Sequence, residues 1–284
     1  MNIQWFPGHM TKAIREAEKN LKLIDALIYV LDARAPKACL NNHFLNKTPN
    51  KPVLYVLNKA DLADSEITKQ WIEYLSSETA SAVSIIATKS GGARVILPEL
   101  RKLTYPKVQR WKQKGVNYTP KAMVAGIPNT GKSSIINSLC GAYRAKTGNK
   151  PGVTREKQWI RLNDIELLDT AGILAPKLDD KDDAKHLAYI GSIKDDILDI
   201  VELARAFLDE MIQRFSQNIA DRYGPISDSS DPLSNIAQSR GYLLKGGEID
   251  LERTAKAVLD DFRAGRLGKI TLENPTIEED NFER

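Results

Sequence analysis

Eight residues, Gly126-Ile-Pro-Asn-Thr-Gly-Lys-Ser133, constrain the fold more than any other stretch of this 284-residue chain. The apolar run Ala122–Ala125 leads into them and Lys132-Ser133 opens a helical segment, so the order is strand, glycine loop, helix. That context separates a phosphate loop from an ordinary glycine turn. Its glycines let backbone N–H groups turn inward around a β-phosphate, at a helix N-terminus that already favours anions. Lys132 is then placed to bridge the β- and γ-phosphates and the Ser133 hydroxyl to ligate Mg2+. Asn129, Thr130, Gly131 and Ser134 complete the set expected around the phosphates.

The pattern around this loop predicts an α/β fold. Short runs rich in Val, Ile and Leu (Ala26–Leu31, Val53–Leu57, Ala82–Ala87, Ala122–Ile127 and Ile165–Leu168) are separated by helical candidates at Met10–Lys22, Ser65–Leu75, Val95–Leu103 and Lys132–Leu139. Strands that are apolar on both sides and alternate with helices imply a mostly parallel sheet with helices on both faces. Trp159–Leu162 adds one antiparallel strand across an Asn163-Asp164 turn. Beyond Pro176 the pattern is helical only, with helices expected at Asp199–Phe215, Leu233–Gln238 and Leu251–Phe262. The first of these is expected to be core, and the acidic tail from Glu273 to Arg284 to fray. The division is therefore 1–175 for the sheet domain and 176–284 for a smaller all-α domain.

Charge divides the chain at nearly the same place. Residues 1–174 carry 26 Lys/Arg against 14 Asp/Glu, whereas 175–284 carry 15 against 23. Two explanations stand: a polyanionic partner for the basic part, or the cations that any nucleotide site collects. Arg101–Lys121 holds seven basic residues, no acidic one, and Tyr105, Trp111 and Tyr118 between them. That mixture suits RNA phosphates and stacked bases, and equally a solvated helix and linker. No apolar run approaches the about 18–20 residues of a spanning helix, and Met1–Met10 lacks the regions of a signal peptide, so the expectation is a cytoplasmic chain without a membrane partner. Cys39 and Cys140 have no metal or redox spacing. His43 and His186 have no motif around them and read as surface residues.

Three further elements specify the nucleotide. Asp169-Thr-Ala-Gly172 follows the run Ile165–Leu168, where a carboxylate leaving a strand is expected to reach Mg2+ through water while the Gly172 N–H faces a γ-phosphate. Thr154 supplies a candidate second hydroxyl for the metal. Asn58-Lys-Ala-Asp61 selects the base: a carboxylate at Asp61 accepts from N1–H and the 2-amino group of guanine, while the Lys59 stem lies along the ring. Adenine offers a lone pair at N1 and no 2-amino group, and polar matching of this kind discriminates by roughly 10,000-fold or more. The backbone at Ile86, Ala87 and Thr88 is placed to contact the guanine O6. GTP is the expected substrate and Mg2+ the cofactor.

The order of these elements is unusual. GTPases ordinarily run phosphate loop, DxxG, NKxD, whereas here NKxD stands at 58–61, ahead of the loop at 126–133. A parallel sheet accepts this if the ordinary ends are joined and a new opening is cut after DxxG, because strand order in space need not change. The γ-phosphate-sensing segment then ends the sheet domain and leads straight into the helical one.

With the opening Trp5-Phe-Pro-Gly-His-Met10, the run Leu31-Asp-Ala-Arg34, Pro151-Gly-Val-Thr154 and Gly241-Tyr-Leu-Leu-Lys-Gly-Gly247, the chain closely resembles the ribosome biogenesis GTPase A (YlqF) family over nearly its whole length. The resemblance implies a circularly permuted P-loop GTPase acting in late assembly of the bacterial large (50S) ribosomal subunit. It also implies ribosomal RNA as a partner and a C-terminal domain similar to the ANTAR RNA-binding type; a monomer is expected. His9 matches a histidine proposed in the family to orient the attacking water, and otherwise begins a helix. Asn129 matches an asparagine that looks like a K+ ligand in potassium-activated GTPases, and otherwise structures its loop. Two departures bear on catalysis. Ala171 replaces the usual proline of the DxxG element, and Ile173 stands where many GTPases carry a water-orienting glutamine, the latter being itself a family trait. Turnover by the chain alone should be slow and stimulated by the particle. An RNA-binding scaffold with a structural nucleotide is the alternative.

Overall fold

The computed structural model describes residues 8–48, 50–141, 158–170, 180–225 and 231–275, with residues 8–14 and 158 described in their backbone course alone. These residues fall into two compact units, one of 8–170 with 271–275 and one of 180–270.

The first unit runs α1 (Gly8–Leu21), β1 (Ala26–Asp32), α2 (Pro36–Cys39), α3 (Asn42–Leu45), β2 (Val53–Asn58), α4 (Ser65–Leu75), β3 (Ala80–Ser84), α5 (Ile96–Gln113), β4 (Lys121–Ala125), α6 (Lys132–Cys140), β5 (Gln158–Leu162) and β6 (Ile165–Asp169). The strands form one sheet in the order β3-β2-β1-β4-β6-β5, parallel except for β5. Every residue of β1 is buried, as a central parallel strand covered on both faces requires. Alternate residues share a face. Ile28, Val30, Leu54, Val56 and Val124 pack with Ile96 and Leu100 of α5 and Ile135 and Ile136 of α6. On the other face Tyr29 stacks on Phe44 of α3, and its hydroxyl donates to the Cys39 carbonyl and accepts from the Asn41 amide. The β5–β6 hairpin turns at Asn163, whose φ of 46° lies in the left-handed region that Asn tolerates.

Two elements differ from the sequence expectation for identifiable reasons. β3 ends at Ser84 rather than 87, because Ile85 and Ala87 leave the ladder: the Ile85 carbonyl takes the Ala60 amide and the Ala87 amide goes to Asn58. α5 continues ten residues past Leu103, through Pro106. Proline forfeits one backbone bond there, and Lys107 in the next position is held by an ion pair to Asp25. Asp25 also accepts from the Tyr118 hydroxyl and the Lys121 amide, so one carboxylate fastens the segment joining α5 to β4.

The second unit holds α7 (Lys181–Tyr189), a 3₁₀ turn (Asp195–Ile197), α8 (Ile200–Tyr223), α9 (Pro232–Arg240) and α10 (Leu251–Arg263). Leu203, Phe207, Leu208 and Met211 of α8 are fully buried, as are Leu233 of α9 and Val258 and Phe262 of α10, and α8 packs on both of those helices. Tyr189, Phe207 and Phe262 form a chain of rings with centroids 5.1 Å apart. α8 runs past the expected Phe215, where non-helical backbone (φ −138°, ψ 43°) marks a kink. α7 is an addition to the expected helices, capped by Asp180, whose side chain accepts from the Asp182 and Asp183 amides. His186 on it is buried, not on the surface, and its Nε2 lies 3.2 Å from Glu210 Oε1. His43 is exposed.

The border between 175 and 176 falls outside the described residues. A difference lies at the other end: residues 271–275 belong to the sheet unit rather than to a helical domain reaching 284. Glu273 is buried at 6% exposure, so the tail is anchored at least this far, against the fraying expected from 273 onward.

Candidate nucleotide-binding site

From β1 the chain winds to β2 and β3, and from its neighbour β4 to β6 on the opposite side. Loops diverging from such a switch point leave a crevice beyond the carboxyl ends of the strands. Residues 59–64 after β2, 85–92 after β3 and 126–131 after β4, with Asp169 at the end of β6, all lie at that edge.

Asn58 joins three of these segments. Its Nδ2 donates to the Thr130 carbonyl at 2.8 Å and its Oδ1 accepts from the Ala87 amide at 3.0 Å. The motif at 58–61 is thereby fastened to the phosphate loop 72 residues later in the chain. Glycine is demanded at Gly131 twice over, since φ is +97° and a Cβ would stand 2.2 Å from Asn58 Nδ2. At Gly126 a Cβ would stand 2.4 Å from the Val30 carbonyl oxygen. Thr130 is buried with its hydroxyl on the Ile127 carbonyl at 3.1 Å, and the Lys132 ammonium donates to the same carbonyl at 2.7 Å. Asn129 takes a left-handed φ of 62°, and Ser133 and Ser134 are half-buried in the first turn of α6.

Two opposite charges are pressed toward neutrality here. Burial pushes Lys132 down to about 8, while Asp169 pulls it the other way. Burial pushes Asp169 up to about 6, against Lys132 and the Thr170 amide. Asp169 Oδ1 is buried without a hydrogen-bond partner among the described residues. An open carboxylate oxygen of this kind suits a hard, oxygen-seeking cation. Among the described residues no group of three or more His, Cys, Asp or Glu is placed to hold a metal. The hydroxyl of Ser133 and the carboxylate of Asp169 are hard oxygen donors that suit Mg2+, which keeps waters and substrate phosphates in its shell. Thr154, Ala171, Gly172 and Ile173 lie outside the described residues; so does the His9 side chain, whose backbone is in the first turn of α1.

On the base side, Lys59 holds a left-handed φ of 62° and its ammonium pairs with Asp32 at 2.8 Å. Asp32, at the end of β1, is fully buried and gripped by the buried Arg34 guanidinium through Nε at 2.9 Å and Nη2 at 2.8 Å. Burial opposes ionisation of Asp32, but Arg34 and Lys59 outweigh it and hold the carboxyl well below its usual range. Asp61 and Thr88 are exposed, Ile86 half-buried and Ala87 buried. Asp32 and Arg34 were not among the candidate site residues. Their signal is an aspartate at the carboxyl end of the strand next to the one carrying 58–61, which needs the strand order to be seen.

The basic stretch 101–121 is largely paired. Arg101 binds Asp164 through two contacts of 2.7 and 2.9 Å, Lys102 binds Glu99, Lys107 binds Asp25, and Lys121 lies 3.5 Å from Glu166. Trp111 and Tyr118 stack on each other with centroids 5.4 Å apart. Arg110, Lys112 and Lys114 are exposed.

Residues 121–225 match the sequence model of a family described as 50S ribosome-binding GTPase. The match begins with the first residue of β4, so the motif at 58–61 precedes it, as a permuted order requires. Ribosome biogenesis GTPase A of Bacillus cereus is 41% identical over 280 residues, covering 97% of this chain and 95% of its own. The chain belongs to the ribosome biogenesis GTPase A family. A ribosome biogenesis GTPase A from Thermotoga maritima is 32% identical over 274 residues, covering 96% and 95%. The crystal structure of GNP-bound YlqF from T. maritima superposes with a TM-score of 0.62 at 26% identity, covering 93% of this chain and 99% of that one. The fold is thus a permuted P-loop GTPase fold carrying the ribosome biogenesis GTPase A arrangement of elements. Among the described residues no helix is long and apolar enough to cross a membrane.

Proposed function

We propose that this chain is a GTP hydrolase that acts as an assembly switch on the precursor of the large (50S) ribosomal subunit, in the cytoplasm and as a monomer. The observation that carries this is the Asn58 side chain, which holds a guanine-reading motif against a phosphate loop despite their reversed order in sequence. Asp61 reads N1–H and the 2-amino group, Lys59 lies along the ring, and the backbone at 86–88 meets O6. Asn129, Thr130, Gly131, Lys132, Ser133 and Ser134 hold the phosphates, with Gly172 facing the γ-phosphate. Ser133, Thr154 and Asp169 would hold Mg2+, which would supply charge neutralisation for the phosphates.

In hydrolysis, water attacks the γ-phosphorus, the bond to the β–γ bridging oxygen breaks, and GDP and phosphate leave. Lys132 stabilises charge that grows on the phosphate oxygens in that step. Ile173 cannot orient the water, so that role falls to His9, and Asn129 would hold K+, which would supply an added positive charge. Because this arrangement is incomplete alone, contact with ribosomal RNA raises the rate. Arg110, Lys112 and Lys114 offer phosphate contacts on the sheet unit, and Arg240 and Lys245 do so on the helical unit, against its net negative charge. Base specificity is tested by displacing fluorescent GTP from the chain in Mg2+: GTP should compete at micromolar concentration and ATP should fail at a hundredfold excess. Equal displacement by ATP would exclude Asp61 as the base reader.

A further inference from the structure

Residues 271–273 follow Ile270, the last residue of the helical unit, yet pack within the sheet unit. Thr271, Leu272 and Glu273 are all buried; Thr271 and Leu272 bond to residues on the two flanks of the base-reading loop, and Glu273 bonds to α2 and α4, which follow those residues in the chain. Thr271 Oγ1 accepts the Asp64 amide at 3.0 Å. The Leu272 amide donates to the Arg34 carbonyl at 2.7 Å. The Glu273 carboxylate accepts the Ala38 amide at 3.1 and 3.2 Å, and its carbonyl accepts the buried Trp71 indole N–H at 3.0 Å. A carboxylate withdrawn from water is costly unless hydrogen-bonded, so this packing is specific rather than a chain end lying on a surface.

These contacts bracket the base-reading loop. On one flank the order is Leu272 to Arg34, Arg34 to Asp32, and Asp32 to Lys59. Lys59 holds a left-handed backbone that is unfavourable for a non-glycine residue, and its ion pair to Asp32 helps keep it there. On the other flank the order is Thr271 to Asp64, the cap of α4. Asp61 lies between these two anchors and is itself exposed.

We propose that residues 271–273 are positioning residues for Asp61: by clamping both flanks of the 58–64 loop they set how fast guanine nucleotide leaves and how strongly guanine is preferred over a base lacking the 2-amino group. This rests on the reading of the site as a GTP site. A carboxylate that must accept from two donors at once depends on its angle more than one accepting from a single donor. Hypoxanthine keeps N1–H and lacks the 2-amino group. A loosened loop should therefore lose more affinity for guanine than for hypoxanthine.

The test uses the full chain with fluorescent GDP and IDP in Mg2+, comparing wild type with Thr271→Val, Glu273→Ala and Glu273→Gln. Thr271→Val removes one acceptor while keeping its shape, and Glu273→Gln keeps an acceptor oxygen for Ala38. We expect GDP to leave roughly 5–20-fold faster from Thr271→Val and Glu273→Ala, the GDP-to-IDP affinity ratio to fall by about threefold or more, and Glu273→Gln to stay closer to wild type. A purely structural weakening lowers both affinities by one factor. An unchanged ratio in folded Thr271→Val and Glu273→Ala, with wild type binding GDP, would overturn this inference alone; a wild type that binds neither nucleotide would overturn the GTP reading as well.

Discussion

Lys132 and Asp169 give the site a pH dependence whose sign follows from burial. Asp169, raised from 3.8 to about 6, binds its proton more tightly in the folded chain than in the unfolded one. Its contribution to stability therefore falls as pH rises from about 4 to 6, and the cost of the buried anion persists above that. Lys132, lowered from 10.5 to about 8, acts in the opposite window: its cost is present below about 8 and is relieved as pH climbs toward 10. Asp169→Asn should accordingly raise stability at pH 8 by roughly 1–3 kcal/mol in urea unfolding without nucleotide, while abolishing Mg2+-dependent GTP turnover. A variant that is both less stable and still active would remove Asp169 from the metal site. The phosphate-loop residues were legible in the sequence because strand, glycines and lysine are contiguous. Asp32 and Arg34 were not, because their partner Lys59 comes beside them only when β1 and β2 pair.

Among the elements, the α5–β4 connection depends on one residue. Asp25 takes Lys107, the Tyr118 hydroxyl and the Lys121 amide, and burial together with Asp25 pushes the Tyr118 phenol up to about 12. Asp25→Ala leaves three donors without their acceptor and should cost roughly 2–3 kcal/mol of stability. It should also bring Tyr118 back toward 10, which ultraviolet titration of the phenolate against wild type would show; an unmoved titration would exclude Asp25 as the clamp. Elements with local signals were readable. α4 runs over Ser65–Leu75 as expected, its start set by Asp64 accepting from the Glu66 and Ile67 amides. The far end of α5 was not readable, because a proline ordinarily argues for a stop and the contact that sustains the helix reaches back 82 residues. α7 does carry a local signal, an aspartate followed by two more in the first turn, but its apolar pattern is short.

For the whole molecule, the permuted order makes the two ends of the nucleotide site answer to different parts of the chain. The proposed guanine side, on β1 and β2, is contacted by residues 271–273, whereas the proposed phosphate side lies on β4, α6 and β6. The charge border near 174 was visible from composition. The return of the chain to the sheet unit was not, since Thr271-Leu-Glu273 is too short to carry a pattern and its partners are some 200 residues earlier. The positive balance of residues 1–174 also means less than its count suggests, because Arg101, Lys102 and Lys107 are already paired. Arg110, Lys112 and Lys114 on one unit, and Arg240 and Lys245 on the other, are the exposed cations proposed for contact with a polyanion. GTP turnover by the purified chain, measured with and without added large ribosomal subunits, tests the central claim most directly. The rate should rise at least about tenfold with subunits for wild type and stay at background for Lys132→Ala; a wild-type rate unchanged by subunits would contradict the account.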